Sequence, residues 1–160
     1  MRDIRELIIL RLLAIFSEID GVFVDADNVK SVFRDRGVVP TEIRPAILLL
    51  DGKETRRTPH LSVVTIEHIA EFILEPQIFV VLPTPKPEDV EDLGPLLSEW
   101  RVKVLSAIFS DDTLAGILGS NGVIEYKGSQ TDMADGMLME GVIQLDFGFT
   151  YLFDPNDLTN

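Results

Sequence analysis

The clearest pattern of hydrophobic and polar positions in this 160-residue chain covers residues 142–153. Every odd-numbered position from 143 onward is apolar or aromatic, and the even-numbered positions from 144 to 150 are polar or glycine. The two sets are Ile143, Leu145, Phe147, Phe149, Tyr151 and Phe153, and Gln144, Asp146, Gly148 and Thr150. Such alternation predicts a β-strand with one buried face. At about 3.3 Å per residue the strand would span roughly 40 Å, which favours an element that builds a surface.

Helical spacing of apolar residues appears in two longer segments. Residues 2–18 predict a first helix, and residues 95–109 predict a second, main helix with Trp100 as a buried anchor. Asp111 or Asp112 is expected to cap a short helical turn that follows. These segments supply two principal helices for the fold.

Shorter apolar runs predict the remaining strands, over residues 29–34, 46–50, 77–82 and 123–126. Asp51-Gly52 reads as a turn, so the charged residues 53–57 are predicted to form a loop. Residues 61–82 are predicted to form one or two strands divided by Pro76, and residues 128–136 a loop. The order of elements predicts an α+β fold, with a mainly antiparallel sheet and two principal helices packed on it. Residues 1–160 are expected to form one domain.

The charge of the chain is strongly acidic, with 27 Asp and Glu residues against 14 Lys and Arg and a net charge of −13. Proteins that grip nucleic acid neutralise phosphates with basic side chains, so no phosphate-binding face is expected. An acidic surface keeps a protein soluble, or lines a channel that a polyanion passes without sticking. The absence of cysteine excludes disulfides, thiolate zinc sites and a cysteine nucleophile.

Residues 1–19 have the general pattern of a signal peptide, because Arg2 and Arg5 precede an apolar stretch. Arg11 interrupts this stretch, however, and Glu6 and Glu18 flank it, so we interpret it as a helix of the fold. No run reaches the roughly 18 uncharged apolar residues of a membrane span. We therefore expect a soluble protein that is made in the cytoplasm.

Few residues suggest chemistry. Asp25-Ala26-Asp27-Asn28 resembles the start of a calcium loop, but the later ligand positions are missing, which favours an ordinary acidic turn. His60 and His68 lie eight residues apart and predict no metal site. We expect no catalytic, cofactor-binding or metal-ligating residues and no cofactor.

Asp112 and the strand residues Glu125 and Lys127 do have the spacing of a metal-dependent nuclease motif, D…E-x-K. In such enzymes two carboxylates hold Mg²⁺ and a lysine orients the attacking water. Asp112 precedes a predicted helical turn where the motif needs a strand, so a nuclease remains a distant alternative.

Charged residues in predicted loops are the candidates for contacts with partners or other subunits. Two are basic, Arg56 and Arg57, and two are acidic, Asp132 and Asp135. Each pair lies near the predicted end of a strand, where exposed loops often carry recognition.

Three stretches of the chain resemble the tail-terminator family of long-tailed bacteriophages, the lambda minor tail protein U type and its prophage relatives. The first similar stretch consists of residues 29–34 followed by 45–52. The second runs from residue 94 through 119, and the third from residue 139 through 155. Residues 55–75 lie outside the resemblance. All three stretches are structural patterns without a catalytic signature.

The resemblance implies a structural protein that forms a ring, usually of six subunits, at the head-proximal end of the tail tube. The ring stops tube polymerisation and presents the surface to which the filled head attaches. The implied partners are other copies of the chain, the tail tube protein and a head completion or connector protein, with no membrane. DNA would pass through the lumen without specific binding. The protein would lie in the host cytoplasm during assembly and then in the virion tail.

Two non-enzymatic alternatives stay open beside the nuclease. One is a head–tail connector or joining protein of the same phage neck, because such proteins share small α+β folds and ring geometry. The other is an interaction domain unrelated to phage.

Overall fold

The computed structural model describes residues 3–57, 70–84, 86, 88, 93–131 and 141–153. The described residues form three α-helices and five β-strands. In chain order these are α1 (Ile4–Glu18), β1 (Val32–Arg34), β2 (Ala46–Arg57), β3 (Ala70–Val81), α2 (Leu93–Phe109), α3 (Asp112–Leu118), β4 (Val123–Thr131) and β5 (Val142–Phe153). A short 3-10 helix, Thr41–Ile43, lies between β1 and β2. The predicted α+β class is confirmed.

The five strands form one sheet in the order β1-β2-β3-β5-β4. β1 runs parallel to β2, whereas β2 with β3, β3 with β5, and β5 with β4 are antiparallel pairs. The sheet is therefore mixed, which corrects the expected mainly antiparallel sheet. Its parallel pair exists because residues 35–45 return the chain to the starting end of β1 before β2 begins.

The helices pack on one face of the sheet and enclose the hydrophobic core. The sheet residues buried against them are Ile47, Leu49, Leu74, Ile78, Val80, Ile143, Leu145, Phe147, Phe149 and Tyr151. Trp100 of α2 is only 3% exposed, as predicted. The predicted cap of the short helix is also confirmed, because the Asp111 carboxylate accepts a hydrogen bond of 2.6 Å from the backbone N–H of Leu114.

The predicted strand over residues 142–153 is confirmed in its bounds and in its buried odd-numbered face. β5 lies between β3 and β4, so both of its backbone edges are paired. This long strand lies inside the sheet, and along residues 143–150 it offers no free edge to another subunit.

Three predictions about strand lengths are wrong. The predicted loop at residues 53–57 continues β2, and residues 128–131 continue β4. Pro76 does not divide the second hairpin strand, because β3 runs through it. In each case, residues typical of a strand end lie at a local irregularity within a strand that continues.

Candidate interaction surface

Two irregular positions, one in β2 and one in β4, line up across the sheet. On β2, the register with β3 shifts between Leu50 and Lys53, so that Asp51 and Gly52 stand opposite the single residue Pro76. On β4, the register with β5 shifts at Lys127. A β-bulge of this kind inserts one extra residue and bends its strand. The bulges explain why Asp51-Gly52 has the sequence of a turn although the strand continues.

The bulge at Gly52 reverses which side chains face the helices. Before the bulge, the side chain of Leu49 faces the core. After the bulge, the side chain of Glu54 lies on that face, where its carboxylate accepts a hydrogen bond from the hydroxyl of the buried Tyr151. Burial is the largest cause of the raised pKa of Tyr151, and the hydrogen bond to Glu54 is the second largest. This contact holds the continuation of β2 against the body of the protein.

We call residues 53–57 of β2 the arm. Arg56 and Arg57, the predicted basic contact candidates, lie at its end, and both are exposed. They belong to a strand rather than to a loop, because they pair with Phe72 and Glu71 of β3. β1 pairs only with residues 47–49 of β2, so no described strand covers the outer edge of the arm. Charged side chains are common on such edges, where they discourage aggregation.

A carboxylate on the face of the sheet that lies away from the helices joins three strands at the row of bulges. Glu75 of β3 accepts a hydrogen bond from Lys127 of β4, and Lys53 Nζ of the arm lies 3.2 Å from the same carboxylate. Lys127 must cross β5 to reach Glu75, and it passes over Gly148, where a Cβ would lie 3.0 Å from Lys127 Cε. The glycine thus leaves room for the crossing lysine.

The hydrogen bond from Lys127 is the main reason why the pKa of Glu75 lies below its ordinary value of 4.5. We expect Glu75→Gln to lower the free energy of unfolding at neutral pH by about 0.5–1.5 kcal/mol, because the lysines are partly exposed and screened by water. The measurement is urea denaturation of both proteins.

The difference in stability between wild type and Glu75→Gln is expected to depend on pH. Because the folded-state pKa of Glu75 is lowered, the contribution of its ion pairs is complete above about pH 4.5 and is lost as the pH falls through the lower, folded-state value. The difference in unfolding free energy between wild type and Glu75→Gln should therefore shrink in acid. Glu42→Gln, at an exposed position, is the matched control. A difference that stayed constant from neutral pH to about pH 3 would contradict the role given to Glu75.

A second ion-pair cluster fixes the start of α1 to the strands beside the bulge. Arg34 of β1 donates hydrogen bonds of 2.7 and 2.6 Å to the Asp51 carboxylate and of 2.7 and 2.9 Å to the Glu6 carboxylate. These hydrogen bonds are the largest cause of the lowered pKa of Asp51 and of Glu6. Paired hydrogen bonds of this kind are geometrically specific, so the cluster positions the base of the arm relative to α1.

A groove of about 830 Å³ lies between the C-terminal end of α1 and the outer side of α2. Four acidic residues and one basic residue line it, namely Glu18, Asp20, Glu99, Asp111 and Lys103. Two of the acids have basic partners: Asp111 Oδ2 lies 2.5 Å from Arg11 Nη2, and Glu99 Oε1 lies 2.9 Å from Lys103 Nζ. Val102, which is 55% exposed, adds an apolar surface. The groove is therefore apolar inside with an excess of negative charge.

The structure does not bring the nuclease-like residues together. Asp112 starts α3, which packs on the helical side of the sheet through Leu114. Glu125 and Lys127 both lie over Gly148, on the opposite face. Across the described parts of the chain, no three His, Asp or Glu side chains are grouped to hold a metal ion.

Other candidates from the sequence have ordinary or undescribed positions. The Asp25 carboxylate accepts hydrogen bonds from the backbone N–H groups of Asp27 (2.9 Å) and Val29 (2.8 Å), as in an acidic turn. The contact candidates Asp132 and Asp135 and the two histidines, His60 and His68, lie outside the described residues.

Sequence reasoning missed Glu75, Gly148 and the groove. Gly148 was visible as the one small residue in the alternating pattern of β5, and a glycine there signals a close approach by another group. Nothing local indicated Glu75, whose partner Lys127 is 52 residues away.

Together, these observations define an α+β protein with helices on one face of a bent, mixed sheet. Comparison of the chain with models of known protein families and with curated protein sequences finds no match. Among the described helices, none has both the length and the apolar character needed to cross a membrane.

Proposed function

We propose that this chain is a structural subunit that assembles into a ring and terminates a phage tail tube. The proposed identity comes from the resemblance of three stretches to the tail-terminator family. The observation that supports assembly is that apolar residues occur on both faces of the sheet, whereas described helices cover only one face.

The start of β2 shows this two-sided character most clearly. Positions 46–50 are all apolar, a pattern typical of strands covered on both faces. Ile47 and Leu49 face the helices. On the other face, Leu50, Phe79 and Val142 are only half-buried beside a depression of about 530 Å³. A neighbouring subunit or the tail tube would complete the cover of these residues.

The charge of the chain fits the same proposal. A net charge of −13 would repel DNA, so a ring built from such subunits would let DNA pass without binding it. Ring closure requires a heterologous contact, in which one surface of a subunit meets a different surface of the neighbouring subunit. The arm and the groove are two such different surfaces.

The proposal is tested by polymerising tail tube protein with increasing amounts of this chain. Under the proposal, tube length falls as the ratio of chain to tube protein rises, because a capped end cannot grow. Tubes whose length does not depend on the added chain would overturn it.

A second assay separates the proposal from the nuclease alternative. A metal-dependent nuclease would cut DNA with Mg²⁺ and lose this activity in a Glu125→Ala/Lys127→Ala variant. The proposed terminator cuts no DNA before or after these substitutions. Cleavage that disappears in the variant would favour the enzyme.

A further inference from the structure

The end of the arm concentrates positive charge in an acidic protein. Arg56 and Arg57 are the only two adjacent basic residues in the chain, and both are exposed. Within the arm, Lys53 pairs with Glu75, and Glu54 accepts a hydrogen bond from the Tyr151 hydroxyl. The exposed Arg56 places a positive charge at the end of the arm.

The groove between α1 and α2 has the opposite charge. Beyond its two ion-paired acids, it includes Glu18 and Asp20, which are both exposed. Val102 offers an apolar surface beside them. An arginine side chain fits such a surface well, since its aliphatic stem packs on apolar groups while its guanidinium binds carboxylates.

The arm and the groove lie toward opposite ends of α1. Asp51, at the base of the arm, is joined through Arg34 to Glu6 in the first turn of the helix. Glu18, in the groove, is the last residue of the same helix. A helix of 15 residues is about 22 Å long, so one subunit has its basic and acidic surfaces well separated. This arrangement suits head-to-tail contact between copies.

We propose that the arm of one copy binds the α1–α2 groove of the next copy, with Arg56 beside Glu18 and Asp20. The inference rests on the proposed function in that repeated head-to-tail contacts of this kind would close the ring. Arginine is enriched at the centres of protein interfaces, and the contact would bury the exposed Val102. The partner of the groove is therefore a second copy of this chain.

The absence of native cysteine allows a direct test by cross-linking. One protein carries Thr55→Cys in the arm, and a second carries Val102→Cys in the groove. After they are mixed and oxidised, alone and on tail tubes, we expect on the order of tenfold more disulfide-linked pairs than with a control partner. The control is Val29→Cys, at a position that is 57% exposed and does not line the groove. Cross-linking no stronger than this control under both conditions would overturn the proposal.

Charge reversal provides a test that does not depend on cysteine geometry. Arg56→Glu and Glu18→Lys should each reduce Thr55–Val102 cross-linking several-fold, and combining the two reversals should restore much of it. Lysine at the end of α1 is compatible with the helix dipole, so Glu18→Lys is expected to fold. Glu42→Lys, at an exposed position outside the groove, should have no effect. Equal loss with Glu42→Lys, or no restoration, would contradict the pairing.

The results distinguish failure of the contact from failure of the proposed function. Wild-type protein that shortens tail tubes without arm-to-groove cross-linking would overturn the contact and leave the function standing. Cross-linking of copies without any effect on tube length would overturn the proposed function and leave the contact standing. A groove cysteine that cross-links only to tail tube protein would overturn the assignment of a second copy as its occupant.

Discussion

Gly52→Ala is expected to lower the free energy of unfolding by more than about 3 kcal/mol, because backbone strain and a backbone clash add together. Gly52 has a φ of +67°, which L-residues rarely adopt. A Cβ there would lie 1.9 Å from the carbonyl oxygen of Glu75 in β3. Only separation of β2 from β3 relieves this clash, so the substitution should also displace the arm. Urea denaturation measures the loss of stability.

Gly37→Ala is the matched control for this prediction. No atom would lie within 4 Å of its Cβ, and its φ is not positive. We expect its effect to stay within about 0.5 kcal/mol, as for most surface substitutions. Similar stabilities for the Gly52 and Gly37 variants would mean that the bulge does not form as described.

Phe147→Ala should lower the free energy of unfolding by about 3–5 kcal/mol, since it removes a large, fully buried side chain from the centre of the core. The Phe147 ring lies 5.3 Å from the Tyr126 ring and 6.0 Å from the Phe149 ring, measured between centroids. Its loss leaves a cavity that the helices and the rigid sheet cannot fill. Thermal and urea denaturation both report the change.

Phe109 offers a control of the same residue type within reach of the same cluster. Its ring centroid lies 6.3 Å from that of Phe147, but the side chain is 52% exposed. Phe109→Ala should therefore cost clearly less than Phe147→Ala, because less apolar surface leaves water when the protein folds. Equal costs would contradict the described packing of β5 against the helices.

The parts of the fold that depend on local patterns were predictable from the sequence. Alternation identified β5 and its buried face, helical spacing identified α1 and α2, and the Asp111 cap marked the start of α3. Each of these signals lies within a few neighbouring residues. They determine the α+β class without determining how the strands pair.

The arm was not predictable, because its formation depends on pairing between distant residues. Asp51-Gly52 is the usual sequence of a turn, and only pairing with β3 makes it a bulge within a strand. Pro76 reads as a strand breaker but stands opposite that bulge, where the ladder is already interrupted. The parallel pairing of β1 with β2 is likewise a property of topology.

The arm and the groove connect the described structure to the proposed ring. The Arg34 cluster and the bulge hold the arm at one end of α1, and the α1–α2 groove lies toward the other end. Surfaces placed in this way allow each subunit to contact two neighbours with different residues, as ring assembly requires.

Electron microscopy of tail tubes assembled in the presence of this protein is the most direct test of the proposed function. We predict tubes of limited length with a closed ring of this protein at one end, identified with a labelled copy. Tubes of unrestricted length, without added density or label at either end, would contradict the proposal that this chain is a tail terminator.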